Sequence, residues 1–572
     1  NTGVFAIGQD LSDLVVNDLT VNGELQALGT IKLDGNYPTG TCNVALGDNA
    51  LGSGSLSGDF NTAIGTNALL ANTSADANTA IGRSSLCSNT TGNCNTGLGM
   101  NALLGNTEGF GNVAVGRSSM VANTTGDSNV AVGQNSLVSN TTANNNTAVG
   151  TCALNANTTG AENVAVGRQA LDTNTTGGDN TAVGDQALFA NTTADSNTAI
   201  GKDALGVNTT GAANTAVGSN ALDSNTTGYA NVAIGCDAMQ TNTVGFHNVA
   251  VGENSLELND SGDCNTAIGV AALRGNTTNG NVAVGFNAAK CNTGGGYNTA
   301  VGLCALHTNT TSSHNTAIGD SALKVNTGAN NTAVGKSALI ANTSGENNTS
   351  LGSCALDANT TASNNTAVGA NSLGANTTGA SNTAVGVNAL DSNTTGNNNI
   401  GVGASAGQAI TTGSSNTAVG QNSLQATTTA SSNTAIGLNS LYTNTTGAEN
   451  TGVGVSSLEK NTTGGQNASF GRQTLCANTT GCFNTGLGAV ALHTNSTGDN
   501  NTAVGSGALQ KNTTADDNTA VGYEAMKFNT TGANNTAVGK TALQANTTGD
   551  TNVAVGVNAL NKNTEGDNNV AV

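Results

Sequence analysis

Apolar and polar residues recur along this chain with a 17-residue period. The phrase Asn-x-x-aliphatic-Gly occurs 31 times from Asn43 onward, and 27 of the 30 intervals between its glycines equal this period. One interval is longer by a single residue (47–65), and two are shorter by a single residue (269–285 and 319–335). A period held this strictly indicates that every unit stacks on the next in a single geometry.

Each position of the unit, counted from its first Asn, accepts only certain residue types. Position 4 is Val, Ile or Leu except for Phe470, and position 9 is Leu or Met except for Ala289 and Gly407. Position 12 is usually Asn and opens the phrase Asn-Thr-Thr-Gly. Positions 1–5, 8, 9 and 12 carry no charge, and every Lys and Arg of the array falls at position 6, 10 or 11. This sorting predicts an inside and an outside at fixed places in each unit.

The unit predicts an all-β fold. A unit of this length is too short for a helical hairpin, and Asn and Gly at this density oppose helix formation. Short β-branched segments bounded by Asn and Gly are typical of strands joined by turns. We therefore predict a parallel β-solenoid with one coil per repeat: a strand Thr-Ala-Val, a corner at the position-5 glycine, a second strand Ala-Leu, and a corner at Asn-Thr-Thr-Gly. With strands ~4.8 Å apart, 31 coils would form a rod of roughly 150 Å.

The unit NTAVGSNALDSNTTGYA (214–230) serves as the example. Asn and Gly suit the corners because both tolerate left-handed backbone conformations, and stacked asparagines could form amide ladders. The predicted corner and ladder residues are Asn214, Gly218, Asn225, Asn231 and Gly235. The predicted core residues are Val217, Leu222 and Ile234.

A second burial surface is expected because both faces of the predicted strand are uncharged. Positions 2 and 4 point to one face and positions 3 and 5 to the other, and a strand that is apolar on both faces is normally covered on both. We expect positions 4 and 9 to fill the coil interior and the small face, positions 3 and 5, to lie against another chain. The alternative is a lone solenoid whose Ala/Gly face meets water.

Composition and charge exclude several classes of protein. The 572 residues include 78 Gly and 1 Pro without a Gly-X-Y period, which excludes collagen. A net charge of −20 with only 15 basic residues argues against a basic stripe and a nucleic-acid partner. The chain has no apolar run long enough to span a bilayer. It begins without Met and stops four residues into a new repeat, so we expect it to be part of a longer product.

The phrases NTAVG, NVAIG and NTAIG resemble the head repeats of trimeric autotransporter adhesins, and the longer unit with AL and NTTG resembles repeats of bacteriophage tail and virion fibres. The likeness covers residues 43–572. It implies a left-handed parallel β-roll assembled as a homotrimer that projects from a surface.

Residues 1–42 depart from the period. Their segment LVVNDLTVNGELQALGTIKLDGN has alternating apolar residues and Asn-Gly and Asp-Gly turns. It resembles fibre connector strands, and we predict a β-strand cap or neck.

The sequence offers no catalytic or metal-binding constellation. The four histidines, His247, His307, His314 and His493, are scattered, and no phosphate-binding GxxxxGK[ST] or calcium-binding Gly-Gly-x-Gly-x-Asp repeat occurs. We therefore expect neither an enzyme nor a cofactor.

Two cysteine pairs bracket an Asn-Thr-Thr-Gly corner: Cys87 with Cys94, and Cys476 with Cys482. Each is a candidate disulfide in an oxidising compartment, whereas assembly in bacterial cytoplasm would leave thiols.

The sequence Asn-Thr-Thr is also an acceptor for N-glycosylation. In a eukaryotic secretory product the corners would carry sugars, whereas in a bacterial or phage protein the same residues serve only the turn, which is the interpretation we prefer.

The leading hypothesis is the shaft of a virion fibre, from a phage tail or capsid, that holds a host-recognition tip away from its base. The expected partners are two further copies of the chain, a host receptor bound by the tip, and a virion or cell-surface base. No membrane span is expected, and the place of action is the outside of a virion. The alternatives are a bacterial surface adhesin, an ice-binding solenoid with ranks of Thr at positions 2, 13 and 14, and a subunit of an extracellular filament.

Overall fold

The computed structural model describes residues 41–572, and in this range it confirms an all-β parallel solenoid with 32 strands and no helix. The predicted cap or neck, residues 1–42, lies almost entirely outside the described residues. Each strand is formed by positions 2–4 of one unit, where β-branched residues alternate with a small one. The fold is therefore one coil per repeat, as the period predicts.

The strands are β1 Val44–Leu46, β2 Thr62–Ile64, β3 Thr79–Ile81, β4 Thr96–Leu98, β5 Val113–Val115, β6 Val130–Val132, β7 Thr147–Val149, β8 Val164–Val166, β9 Thr181–Val183, β10 Thr198–Ile200, β11 Thr215–Val217, β12 Val232–Ile234, β13 Val249–Val251, β14 Thr266–Ile268, β15 Val282–Val284, β16 Thr299–Val301, β17 Thr316–Ile318, β18 Thr332–Val334, β19 Thr349–Leu351, β20 Thr366–Val368, β21 Thr383–Val385, β22 Ile400–Val402, β23 Thr417–Val419, β24 Thr434–Ile436, β25 Thr451–Val453, β26 Ala468–Phe470, β27 Thr485–Leu487, β28 Thr502–Val504, β29 Thr519–Val521, β30 Thr536–Val538, β31 Val553–Val555 and β32 Val570–Ala571.

Every strand pairs in parallel with the next strand along the chain, and like positions lie opposite one another. Ala216 of β11 lies opposite Ala233 of β12. The pairing of β14 with β15 keeps the same register although the unit between them is one residue shorter, with Ala267 opposite Ala283. The missing residue is therefore absorbed outside the strand.

The corners are hydrogen-bonded from coil to coil as well. The amide of Leu222 donates to the carbonyl of Ala238 at 3.0 Å, and the amide of Thr226 donates to the carbonyl of Thr243 at 2.9 Å. Ala230 in turn donates to the carbonyl of Ala212 in the preceding coil at 3.0 Å. Most of the backbone therefore belongs to inter-coil ladders, which is how a unit with so small a core satisfies its polar groups.

The predicted second strand, Ala-Leu at positions 8 and 9, is wrong. These residues lie in a turn, because positions 7 and 9 take left-handed conformations: φ is +55° at Asn220 and +52° at Leu222. Residues with a left-handed backbone cannot continue an extended strand. A left-handed Leu costs about 1–2 kcal/mol. Because Leu222 is fully buried, the burial of its side chain offsets that cost.

Position 5 must be Gly for two reasons that act together. Gly218 has a φ of +140°, and a Cβ added to it would lie 2.4 Å from the carbonyl oxygen of Gly235 in the next coil. A residue with a side chain would be strained by the first condition and would clash through the second.

The interior contains positions 3, 8 and 9, which corrects part of the predicted core. Leu222 is fully buried, as expected, together with Ala216 and Ala221. Val217, however, is only half-buried and Ile234 is 40% exposed, so position 4 faces outward. The coil is narrow, and with Leu at position 9 it has room for little more than a methyl group at position 3.

Candidate functional site: the outward strand face

The array has a continuous apolar surface, the outward strand face, which we define as positions 2 and 4 of every coil. Position 2 is mostly Thr or Val and position 4 is aliphatic, and neither position carries a charge. Side chains alternate along each strand, so burying position 3 turns positions 2 and 4 outward together. The strand register then aligns them into two ranks along the stack.

Many position-4 side chains are exposed by between 36% and 50%. They are Leu46, Leu98, Ile200, Ile234, Ile268, Ile318, Leu351, Val385, Val402, Ile436, Phe470, Leu487, Val538 and Val555. Monomeric proteins seldom expose a continuous apolar surface of this kind, and such surfaces usually mark interfaces. The expectation that the small face, positions 3 and 5, contacts another chain is therefore wrong at position 3, which is inside the coil.

The predicted asparagine ladders form at positions 1 and 12. The amide of Asn231 donates to Oδ1 of Asn214 at 3.0 Å, and Nδ2 of Asn225 donates to Oδ1 of Asn208 at 2.8 Å. Asn214 and Asn225 also both donate to the carbonyl oxygen of Gly228, each at 2.9 Å. The two ladders thus hold the Asn-Thr-Thr-Gly corner from both sides.

This geometry distinguishes between the two interpretations of the Asn-Thr-Thr phrase, which are a glycosylation site and a turn. The side chain of Asn225 is 0% exposed, and its Nδ2, the atom that would carry a sugar, is the donor in both of its hydrogen bonds. A sugar attached there would break the ladder and could not fit inside the coil. The phrase therefore acts as turn chemistry in the folded coil.

The threonines of position 13 also serve the stack. Oγ1 of Thr226 donates to the carbonyl oxygen of Thr243 at 3.0 Å, and the same bond recurs along much of the array, for example from Thr462 to Thr479 at 2.9 Å. These hydroxyl donors are already used within the protein. An ice-binding surface would then depend on the hydroxyls of positions 2 and 14.

The four histidines lie apart from one another in different settings. His247 packs edge-on against Tyr229 and Phe246, and His314 stacks on Tyr297 with ring centroids 5.4 Å apart. Nδ1 of His493 lies 3.0 Å from the carbonyl oxygen of Gln473. Within residues 41–572, no group of three or more His, Cys, Asp or Glu residues is placed to hold a metal ion.

The four cysteines of the two candidate disulfides are free thiols in this structure. Sγ of Cys476 lies 3.6 Å from a carboxylate oxygen of Glu459, whereas Sγ of Cys482 lies 3.3 Å from the carbonyl oxygen of Thr480. Burial, followed by the charge of Glu459, raises the pKa of Cys476 to about 11. That thiol is a poor nucleophile for disulfide exchange at neutral pH. Cys87 is also partly buried, which raises the pKa of its thiol.

Four basic side chains at position 10 lie in successive coils, a cluster that was not predicted. Arg274, Lys290, His307 and Lys324 occupy this position in four successive coils, and we call them the basic row. The total of 15 basic residues had suggested that no stripe could form. Aligning the units by position would have revealed the row, because position 10 varies freely elsewhere.

In the described part of the chain, no helix has the length and apolar character needed to cross a membrane. No protein-family model matches the chain, and no curated protein matches it either.

Proposed function

We propose that this chain is the shaft of a virion fibre, of a phage tail or capsid, which holds a host-recognition tip away from the particle surface. The observation that carries the proposal is the unbroken stack of 32 parallel strands in one register. With ~4.8 Å per coil, the array sets a length of roughly 150 Å. A long and uniform rod is suited to spacing two objects apart.

The shaft assembles as a homotrimer through the outward strand face. Parallel sheets are normally covered on both faces, whereas here one face is covered by the coil interior and the other exposes aliphatic side chains. Two further copies of the same chain would present the same ranks at the same spacing, so the surfaces would match along the whole rod. Electrostatic repulsion would be small at the contact, because positions 2 and 4 carry no charge.

The receptor contact lies at the tip and the base is on the virion, so the fibre works outside the cell. A trimeric adhesin on a bacterial surface would use the same shaft and is the alternative placement. The resemblance of the 17-residue unit to fibre repeats favours the virion.

Light scattering combined with negative-stain electron microscopy tests the proposal. We expect three chains per particle and single rods of finite length, about 150 Å for the array. A monomer would contradict the role of the outward strand face, and end-to-end polymers would favour the filament subunit. Clear thermal hysteresis would favour an ice-binding protein.

A further inference from the structure

The four residues of the basic row lie directly above one another. The amide of the next residue in each coil donates to the backbone carbonyl of the row residue in the following coil. These bonds run from Leu258 to Arg274 (2.9 Å), from Gly275 to Lys290 (3.0 Å), from Cys291 to His307 (3.1 Å) and from Thr308 to Lys324 (3.0 Å). The four side chains of the row therefore start from backbone positions spaced ~4.8 Å apart along the rod.

The row has little negative charge beside it. Positions 7 and 11 of the same four coils carry no Asp or Glu. Glu257, at position 10 of the preceding coil, pairs with Arg274, and Asp320 at position 6 is the other carboxylate of these coils. Among the described residues, neither Lys290 nor Lys324 takes part in any of the four ion pairs. Both lysines are nevertheless half-buried, a setting in which a cation usually has a counter-charge.

His307, between the two lysines, also has a side-chain atom without a partner. Its Nδ1 is buried and makes no hydrogen bond within the described structure. Burial lowers the pKa of His307, and the charges of Lys290 and Lys324 lower it further. A buried polar atom without a partner calls for an ion or water to complete it. An anion lying along the row would supply the counter-charge that Lys290 and Lys324 lack.

We propose that the basic row is a binding site for an acidic oligosaccharide that lies along the rod axis with about one anionic group per coil. The distance between neighbouring row residues favours a sugar chain over a peptide or a DNA duplex. An extended acidic peptide presents side chains on one face only every ~7 Å, and duplex DNA carries a charge every ~1.7 Å. A pyranose chain with one carboxylate or sulfate per ring comes close to the coil spacing.

The row also limits the length of the ligand. It is flanked by Glu257 on one side, and on the other by uncharged Ile340 and then Asp357 at the same position. A longer polyanion would extend over carboxylates on a chain whose net charge is −20. The site therefore takes a short acidic segment, and it does so whether or not the rod is a trimeric fibre.

Calorimetry on the full chain tests the site with three hexasaccharides: heparin-derived (sulfated), oligogalacturonate (one carboxylate on every ring) and maltohexaose (uncharged). We expect saturable binding of at least one acidic probe and none of maltohexaose. The double variant Lys290→Gln with Lys324→Gln should weaken binding at least 10-fold and reduce the salt dependence by about two counterions. The matched control is Lys336→Gln with Lys511→Gln, two lysines outside the row, and it should bind as the wild type does.

A pH series gives a second readout. Burial and the charges of Lys290 and Lys324 disfavour protonated His307 in the unliganded chain, whereas a bound anion favours it, so binding should tighten from pH 7.5 to pH 5.5. His307→Gln should remove this dependence, because Gln does not titrate between these pH values.

Three outcomes overturn the proposal: no binding of either acidic probe, equal binding by the double variant, or tighter binding of a DNA duplex of matched charge. None of these results bears on chain number or rod length. A failed site is therefore distinct from a failed fibre.

Discussion

At the scale of single residues, packing between adjacent coils decides which substitutions the array accepts. Position 8 of one coil lies against position 3 of the next. Where position 3 is Ala131, Oγ of Ser119 donates to the carbonyl oxygen of Gly116 in its own coil at 3.1 Å. Where position 3 is Gly97, Oγ of Ser85 donates to the carbonyl oxygen of Gly97 itself at 2.9 Å. The serine thus has two alternative partners, selected by the size of its neighbour.

Because the serine can change its hydrogen-bond partner whereas the backbone cannot move aside, two Gly→Ala substitutions should have different outcomes. A Cβ on Gly97 would lie 2.4 Å from Oγ of Ser85, but that side chain can rotate as Ser119 does. Gly97→Ala should therefore be neutral or stabilise by about 0.5–1 kcal/mol. Gly218→Ala meets backbone that cannot move aside, and together with its φ of +140° it should cost at least ~2 kcal/mol.

Hydrogen exchange measured by mass spectrometry on peptides across each site would separate the two cases. We expect faster exchange around residues 214–240 in Gly218→Ala and unchanged exchange around residues 80–100 in Gly97→Ala. Equal protection in both variants would contradict the close coil-to-coil contact at position 5.

At the scale of one coil, the unit 399–415 shows how the array tolerates an exception. Its position 9 is Gly407 in place of Leu, and its position 12 is Ile410 in place of Asn. A Cβ on Gly407 would lie 2.8 Å from Cδ2 of Leu390 and 3.0 Å from Cδ1 of Ile410. Ile410 is fully buried and fills the space that Leu takes elsewhere. The exception weakens the asparagine ladder of position 12, because Oδ1 of Asn393 loses its hydrogen-bond partner.

The two exceptions should therefore be coupled. Gly407→Leu alone would overpack the core by about 1–3 kcal/mol. Ile410→Asn alone would leave a cavity costing about 2–4 kcal/mol. The double variant restores the usual unit and gives Asn393 an amide partner again, so it should be far less destabilised than the sum of the two single changes.

A double-mutant cycle measured by local hydrogen exchange should give a coupling energy of about 1–3 kcal/mol. Additive effects would mean that Ile410 does not occupy the space left by Gly407.

At the scale of the whole molecule, substitutions on the outward strand face should affect assembly of the chains and leave the folding of each chain intact. Position 4 contributes little to the interior, as Ile234 illustrates. Replacing Ile200, Ile234, Ile268 and Ile318 by Lys should therefore leave the β-signal in circular dichroism intact. The same change should dissociate the proposed trimer in light scattering, because the interface would then bury unpaired charges.

The matched control places four lysines at exposed position 14, replacing Thr176, Thr193, Thr210 and Thr227, and should leave the chain number unchanged. Unfolding of the first variant, or assembly that persists in it, would contradict the assignment of this face.

The sequence predicted the solenoid, its period and its ladders because fixed Asn and Gly positions constrain the backbone directly. It did not predict which strand face lies inside, since both faces are uncharged. The deciding factor is the width of the coil, which admits Ala216 but not Val217. It also did not predict that Leu222 adopts a left-handed conformation, because that depends on the packing of neighbouring coils and not on local preference. The basic row depends on register between units, which becomes visible only when the units are aligned.

The central claim is that successive units are hydrogen-bonded coil upon coil along one axis. X-ray diffraction from an aligned fibre of the purified protein tests it most directly. We expect a strong reflection at ~4.8 Å along the rod axis, set by the strand spacing. A pattern without this reflection along the axis, or one dominated by the pitch of an α-helix at ~5.4 Å, would contradict the account.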